Sequence, residues 1–448
     1  MSALRIAPLL ALLAALPAQT PPEQQLDNGL RVVLVDRPEL PLVTFALYLR
    51  GGLLADGPST FRHASLAMGC MWMGCESPTL GTLDEEAVRS ALADIGGESS
   101  SAVDLQDTRV QLSCLAPHAT RGLELLTAAL LSPTYPDAVV AREVEQERNL
   151  LARRSKQPEF LAQRALLQAL CGEHPLSDAF ALDDRHGALA KVNRVALRAE
   201  HRRLVRPGLG TLFVVGPLTA ALRDAVQQRF ASWPDHGDAP PPEPPPITPP
   251  AGHRVIEVPR PEMTQIYVQM ATLGPAPSDP QFATTPLFRM ALSGGYTSRM
   301  QDELRVNRGL VYGITFTQPS LSIAAPTSIT TSTRPDKVVE LLDVTAGILR
   351  QTLAGDLPAP MLEAARNLWL ANRAIERESH IGFTDAMHRG LRLFGALDGY
   401  AREIEAVRTA TVADVLAAGQ RFAPEKFVVV LVGAPEELAK FDWRWKGQ

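Results

Sequence analysis

Nine prolines fall between Pro234 and Pro250, among them Pro240-Pro241-Pro242 and Pro244-Pro245-Pro246. Proline removes a backbone donor and fixes φ, so neither helix nor sheet can run through this stretch. An extended polyproline path at ~3 Å per residue would span roughly 50 Å. The chain has 448 residues, too many for one average core. The segment 233–252 is therefore read as a linker between domains at 24–232 and 253–448.

The two halves carry the same pattern. The first opens on Leu30-Arg31-Val32-Val33-Leu34-Val35, a turn at Pro38 and Pro41, then the apolar run Val43 to Leu49. The second opens on Arg254 to Val258, a turn at Pro259 and Pro261, then Thr264 to Met270. Runs of this kind separated by proline read as strands and turns. Near the end of each half lies a buried-strand pattern, Thr211 to Gly216 and Phe427 to Gly433. Helical signals lie between. Thr82 and Glu85 form a capping-box pattern opening a helix over 83–95, which Gly96-Gly97 ends. The charged run 141–155 reads as a partly exposed helix. A duplicated α+β unit accounts for all of this.

Composition bears on compartment and partners. The formal net charge is −5, and no basic run offers a nucleic-acid footprint. Arg5 precedes an apolar run from Ile6 to Leu16, too short to span a bilayer but suited to a signal peptide over 1–18. That implies an exported protein, periplasmic or extracellular. No later segment is apolar for long enough to span a membrane. The four cysteines, Cys70, Cys75, Cys114 and Cys171, lack paired zinc-site spacing. They read as buried thiols, with a Cys70–Cys75 bridge as the alternative.

Several segments in fixed order carry a family resemblance. They are Leu26-Asp27-Asn28-Gly29-Leu30-Arg31-Val32, His174-Pro175-Leu176-Ser177, Arg206-Pro207, and Gly294-Gly295-Tyr296-Thr297-Ser298-Arg299-Met300 running on to Gly309-Leu310-Val311-Tyr312. Over about residues 26 to 440 the chain resembles the insulinase and mitochondrial-processing-peptidase family, in particular its bacterial heterodimeric branch. The resemblance implies two similar α/β-sandwich domains, clam-shell fashion, with peptides bound by strand addition.

The family's zinc helix carries His-x-x-Glu-His, two ligands on one helical face with a general base between them. Aligned on Gly74-Cys75, the matching positions here are Ser65, Met68 and Gly69. None can hold zinc, and a catalytic site needs three protein ligands. A register beginning at His63 would need Leu66 and Ala67 as base and ligand, so His63 reads as a surface or structural residue. The family's third ligand maps near Asn149 or Leu150. The neighbouring Glu143, Glu145 and Glu147 read as a solvated face. His380 with His388, and His174 with Asp178, lack a third convergent ligand.

The second half retains the family's other motif. By resemblance, Arg305 holds a substrate carbonyl and Tyr312, seven residues on, donates to the oxyanion that forms during attack. Arg308 lies only four residues from Tyr312 and ranks below Arg305. Gly294-Gly295 leads into a helix containing Ser298 and Arg299, without a Walker-type phosphate motif.

The expectation is a non-catalytic, substrate-binding subunit of an exported heterodimeric zinc metalloendopeptidase. A zinc-motif subunit of the same family would be its partner and would hold the zinc. This chain would have no cofactor of its own, would bind peptide substrates, would bind no nucleic acid and would have no membrane span. Whether it takes part in an enzyme at all stays open. A peptide-binding scaffold with no proteolytic role is the alternative.

Overall fold

A computed structural model describes residues 21–184, 187–235, 243–249 and 254–441. The expected signal segment 1–18 and part of the proline-rich segment lie outside the described residues.

The first half has strands β1 (Glu23–Gln25), β2 (Arg31–Asp36), β3 (Leu42–Arg50), β4 (Gly74–Ser77), β5 (Gly81–Asp84), β6 (Glu98–Val103), β7 (Asp107–Leu115) and β8 (Gly210–Gly216). Its longer helices are α1 (His63–Cys70), α2 (Glu85–Asp94), α3 (Ala119–Leu131), α4 (Asp137–Arg154), α5 (Pro158–Cys171), α6 (Arg194–Leu204) and α7 (Ala220–Ala231). The second half has β9 (Arg254–Pro259), β10 (Ile266–Leu273), β11 (Ile314–Thr317), β12 (Pro326–Thr333) and β13 (Val428–Gly433). It also has α8 (Thr285–Ser293), α9 (Val338–Leu353), α10 (Ala359–Glu376) and α11 (His380–Phe394).

The first large sheet runs β1-β2-β8-β3-β7-β6 and the second β11-β12-β10-β13-β9. Reversing the second gives the order of the first without β1. The pairing sense repeats too. β2 lies parallel to β8, as β9 does to β13, while β3 and β10 run antiparallel to both neighbours. The fold is a duplicated α+β unit.

Each sheet is covered on both faces, which is why β8 and β13 are continuous apolar runs. Along β13, Val429 and Leu431 face the core made with α8, α9 and α10. Val428, Val430 and Val432 face Ala162, Leu166 and Leu170 of α5, a helix from the first half. Along β8, Leu212 and Val214 face the core built with α1, α3 and α7. Phe213 and Val215 face Met387 of α11, with Leu397 and Tyr400, all from the second half. The halves thus exchange covering helices. The described end of the proline segment lies against both halves. Ile247 packs among Leu54, Leu176 and Leu321, and His174 Nε2 donates to the Pro245 carbonyl at 2.8 Å.

One local expectation is corrected. Thr82 lies in β5, and the helix expected over 83–95 begins at Glu85, capped by Asp84, whose side chain accepts from the Ala87 amide at 2.9 Å. Both residues are good caps, but pairing of β4 with β5 holds Thr82 and Leu83 extended.

Candidate functional site

Helix α1 sits beneath the first sheet, and Leu66, Ala67 and Met68 belong to that core. Its first residue, His63, is buried and its Nε2 donates to the Ala188 carbonyl at 3.0 Å. His63 is structural, not a surface group. The helix is entered through Arg62, whose φ of 65° is left-handed, a conformation costing a non-glycine residue on the order of 1–3 kcal/mol.

Ser65 and Gly69, four residues apart, face α4 across a cleft of about 250 Å³. Glu143, Glu147, Leu150 and Arg153 line the far side. The glutamates separate by helical geometry. Glu143 and Glu147 share the inner face, with side chains 18% and 14% exposed, while Glu145 turns outward at 64%. The reading of all three as a solvated face is corrected for Glu143 and Glu147. Asn149 bonds back to the Glu145 carbonyl and is exposed. Leu150 reaches the cleft without a donor atom. The Glu147 carboxylate lies 3.4 Å from Arg62 Nε, so a fixed guanidinium neutralises it.

These residues do not fit a zinc ion. Ser65 offers a hydroxyl and Gly69 nothing, and Met68 is fully buried in the apolar core. Among the described residues no group of three His, Cys, Asp or Glu side chains converges as a metal site. Burial also disfavours a thiolate nucleophile in this cleft. Cys70 lines the cleft, but burial and then the nearby Glu143 push its thiol up to about 12. All four cysteines are free thiols.

Arg305 lies in a π-helical turn, Gln301–Asn307, an irregularity frequent at functional sites. Its Cζ is 5.1 Å from the centroid of the Tyr312 ring and 5.1 Å from that of Tyr296. Tyr312 is 89% exposed. Arg308 is spent on Glu303 at 2.6 Å and Glu340 at 3.5 Å, whereas no carboxylate pairs with Arg305 among the described residues. The cleft beside α1 is lined by first-half residues; Arg305 and Tyr312 are not part of it.

The other candidate residues are structural. His388 lies 3.3 Å from Asp107 and stacks on Tyr48. His380 Nδ1 is 3.4 Å from the Thr44 hydroxyl. Both belong to the contact between halves. The helix that includes Arg299 leads into the π turn, and Ser298 just before it donates to the Gly295 carbonyl at 2.6 Å, closing the preceding turn.

Residues 191–368 match the family model described as Peptidase M16 inactive domain. That stretch, less than half of the chain, is similar to a peptidase M16 inactive domain. The finding fits the insulinase-family resemblance and a zinc-less member of it. The matched stretch begins just ahead of α6, crosses the proline segment and ends in α10, so it follows neither half alone. Uncharacterized zinc proteases of Mycobacterium tuberculosis and Mycobacterium bovis are 22% identical over 433 residues, covering 93% of this chain and 94% of each relative. A peptidase M16 inactive domain from Pseudomonas fluorescens superposes with a TM-score of 0.80 at 21% identity, covering 92% of this chain and 97% of that one. A protease from Helicobacter pylori gives 0.82 at 15% identity, covering 92% and 98%. The periplasmic protease PqqL of Escherichia coli gives 0.77 at 16% identity, covering 92% of this chain but 45% of PqqL. Helix α1 lies outside the matched stretch 191–368. Sequence reasoning missed Arg62, Tyr296 and the inward pair Glu143 and Glu147. The four-residue spacing of that pair was the available signal; for Tyr296 it was a large aromatic directly after a glycine turn.

Proposed function

We propose that this chain is the non-catalytic, substrate-binding subunit of an exported heterodimeric zinc metalloendopeptidase. The observation that carries the reading is the contrast between its two motifs. The α1 position has lost every zinc-binding atom. Arg305, half-buried, lies against the exposed Tyr312 ring, and no carboxylate pairs with Arg305 among the described residues. A guanidinium left without a carboxylate beside an exposed phenol suits a ligand from outside the chain. This chain spans 45% of PqqL, which supports completion by a second unit of the same size, and that neighbour's description as periplasmic supports export.

A zinc-motif subunit of the same family would hold the metal, which when bound activates the attacking water. This chain's Arg305 would donate to a substrate carbonyl and fix the peptide's register. The Tyr312 hydroxyl would donate to the carbonyl oxygen as negative charge develops on it.

The test is reconstitution with a co-expressed zinc-motif protein from the same genome, followed by zinc analysis and hydrolysis of fluorescein-labelled casein. The isolated chain should hold no zinc and cleave nothing, and the complex should do both. Tyr312→Phe should lower kcat about a hundredfold. Activity indifferent to both Tyr312→Phe and Arg305→Ala would refute the shared site and leave a scaffold role.

A further inference from the structure

We propose that Tyr296 is a positioning residue, forming with Tyr312 a two-ring clamp that sets the plane of the Arg305 guanidinium. The inference rests on Arg305 being the substrate ligand proposed above. It adds a residue from outside the Arg–Tyr pair and a geometric reason for the pair's selectivity.

The clamp is held from both ends. On one side, Ser298 closes the turn after Gly295. Arg299 then ties the segment to Thr352 and Asp356, so Tyr296 projects from an anchored turn. Met300 and Leu304 are fully buried and pin the π turn to the core. On the other side, Gly309 takes a φ of 60°, which reverses the chain at a position suited to glycine. Leu310 and Val311 then plunge into the core. The Leu310 carbonyl accepts from Thr333 Oγ1 and the Gly313 carbonyl from Thr331 Oγ1, both at 2.7 Å. Tyr312 is left outside between two fixed points.

Tyr296 is 78% exposed, so burial does not explain an aromatic there. Its ring and that of Tyr312 each stand 5.1 Å from the guanidinium carbon. A guanidinium carries its five N–H donors in its own plane. Placed over its flat faces, the two rings would leave the donor edge as the open approach. The clamp therefore favours an acceptor lying in that plane, such as the backbone carbonyl of an extended peptide. An unstacked arginine would swing over a wide cone and bind any anion.

The experiment has two arms. In the first, the isolated chain is labelled with 15N-arginine, and the Arg305 Nε–Hε resonance is assigned by its loss in Arg305→Lys. Tyr296→Ala should shift that resonance as a ring current is removed, and Tyr296→Phe should leave it in place. An unmoved resonance in Tyr296→Ala overturns the clamp, whatever the partner does. In the second, the reconstituted complex acts on fluorescein-labelled casein. Tyr296→Ala should raise KM roughly fivefold with kcat retained, and Tyr296→Phe should restore the wild-type KM. Simple loss of folding would instead lower kcat at constant KM. If Arg305→Ala raises KM and Tyr296→Ala does not, the clamp is wrong and the shared site stands. If Arg305→Ala changes nothing, the shared site is wrong, and the resonance still judges the clamp.

Discussion

The Tyr48 hydroxyl donates to the Asp385 carboxylate at 2.6 Å, joining a strand of the first half to a helix of the second. Arg109 holds the same carboxylate at 2.9 and 3.0 Å. Burial, reinforced by Asp385, pushes the Tyr48 phenol up, so it remains a donor. Tyr48→Phe leaves Arg109 to satisfy Asp385 and should cost about 1 kcal/mol. Urea unfolding should show a lower midpoint with an unchanged slope. A lower slope instead would indicate that the halves no longer unfold together.

Asp56 gives a pH dependence of defined sign. It is 3.0 Å from Arg203, but that guanidinium also grips Glu200 through Nε at 3.0 and 3.1 Å. Burial and then the charge of Glu200 raise the Asp56 carboxyl from 3.8 to about 7. Between those values the folded state binds more protons than the unfolded one. The stability involved is fully present below 3.8 and is lost as pH rises through about 7. Asp56→Asn should gain on the wild type steadily across that window in chemical unfolding. A constant difference would show that Asp56 stays ionised.

His201 has the opposite sign. Its Nε2 donates to the Leu130 carbonyl at 2.9 Å, and its Nδ1 accepts from the Tyr135 hydroxyl at 2.8 Å. Burial lowers it from 6.5 to about 4. Stability is lost as pH falls through that interval, because only the unfolded chain readily takes the proton. His201→Gln should narrow its deficit against the wild type as pH drops from 6.5 towards 4. A deficit that holds steady would mean the imidazole protonates in place.

The α1 cleft can be tested as the remnant of a metal site. A Cβ added at Gly69 meets nothing within 4 Å, so packing does not forbid a larger side chain there. Ser65→His with Gly69→His restores two ligands, but Glu147 remains paired to Arg62. That variant should bind zinc weakly by calorimetry. Adding Arg62→Gly, which also suits the φ of 65°, should free the carboxylate and tighten binding about tenfold or more. No gain from the third substitution would mean that Glu147 cannot reach the metal.

Much of the fold is legible in the chain. The runs at Val43, Thr211 and Phe427 become β3, β8 and β13, because a strand buried on both faces needs uninterrupted apolar residues, and the run at Arg254 becomes the edge strand β9. The empty zinc position is readable from residue type alone. What covers each sheet is not readable. Ala162, Leu166 and Leu170 announce an apolar helical face, but nothing local says that it belongs to β13 rather than β8. The role of Arg62 also depends on a neighbour distant in sequence, Glu147, while that of Tyr296 depends on an irregular π turn that brings Arg305 back to it.

The exchange of helices has a consequence during synthesis. When β8 has left the ribosome, Val33, Ala46, Phe213 and Val215 form an apolar face whose cover, Met387, Leu397 and Tyr400, is still untranslated. The first half must wait, exposed, for more than a third of the chain. Such a nascent protein calls for a holding chaperone, and cutting the gene at the prolines would yield two sticky fragments instead of two domains.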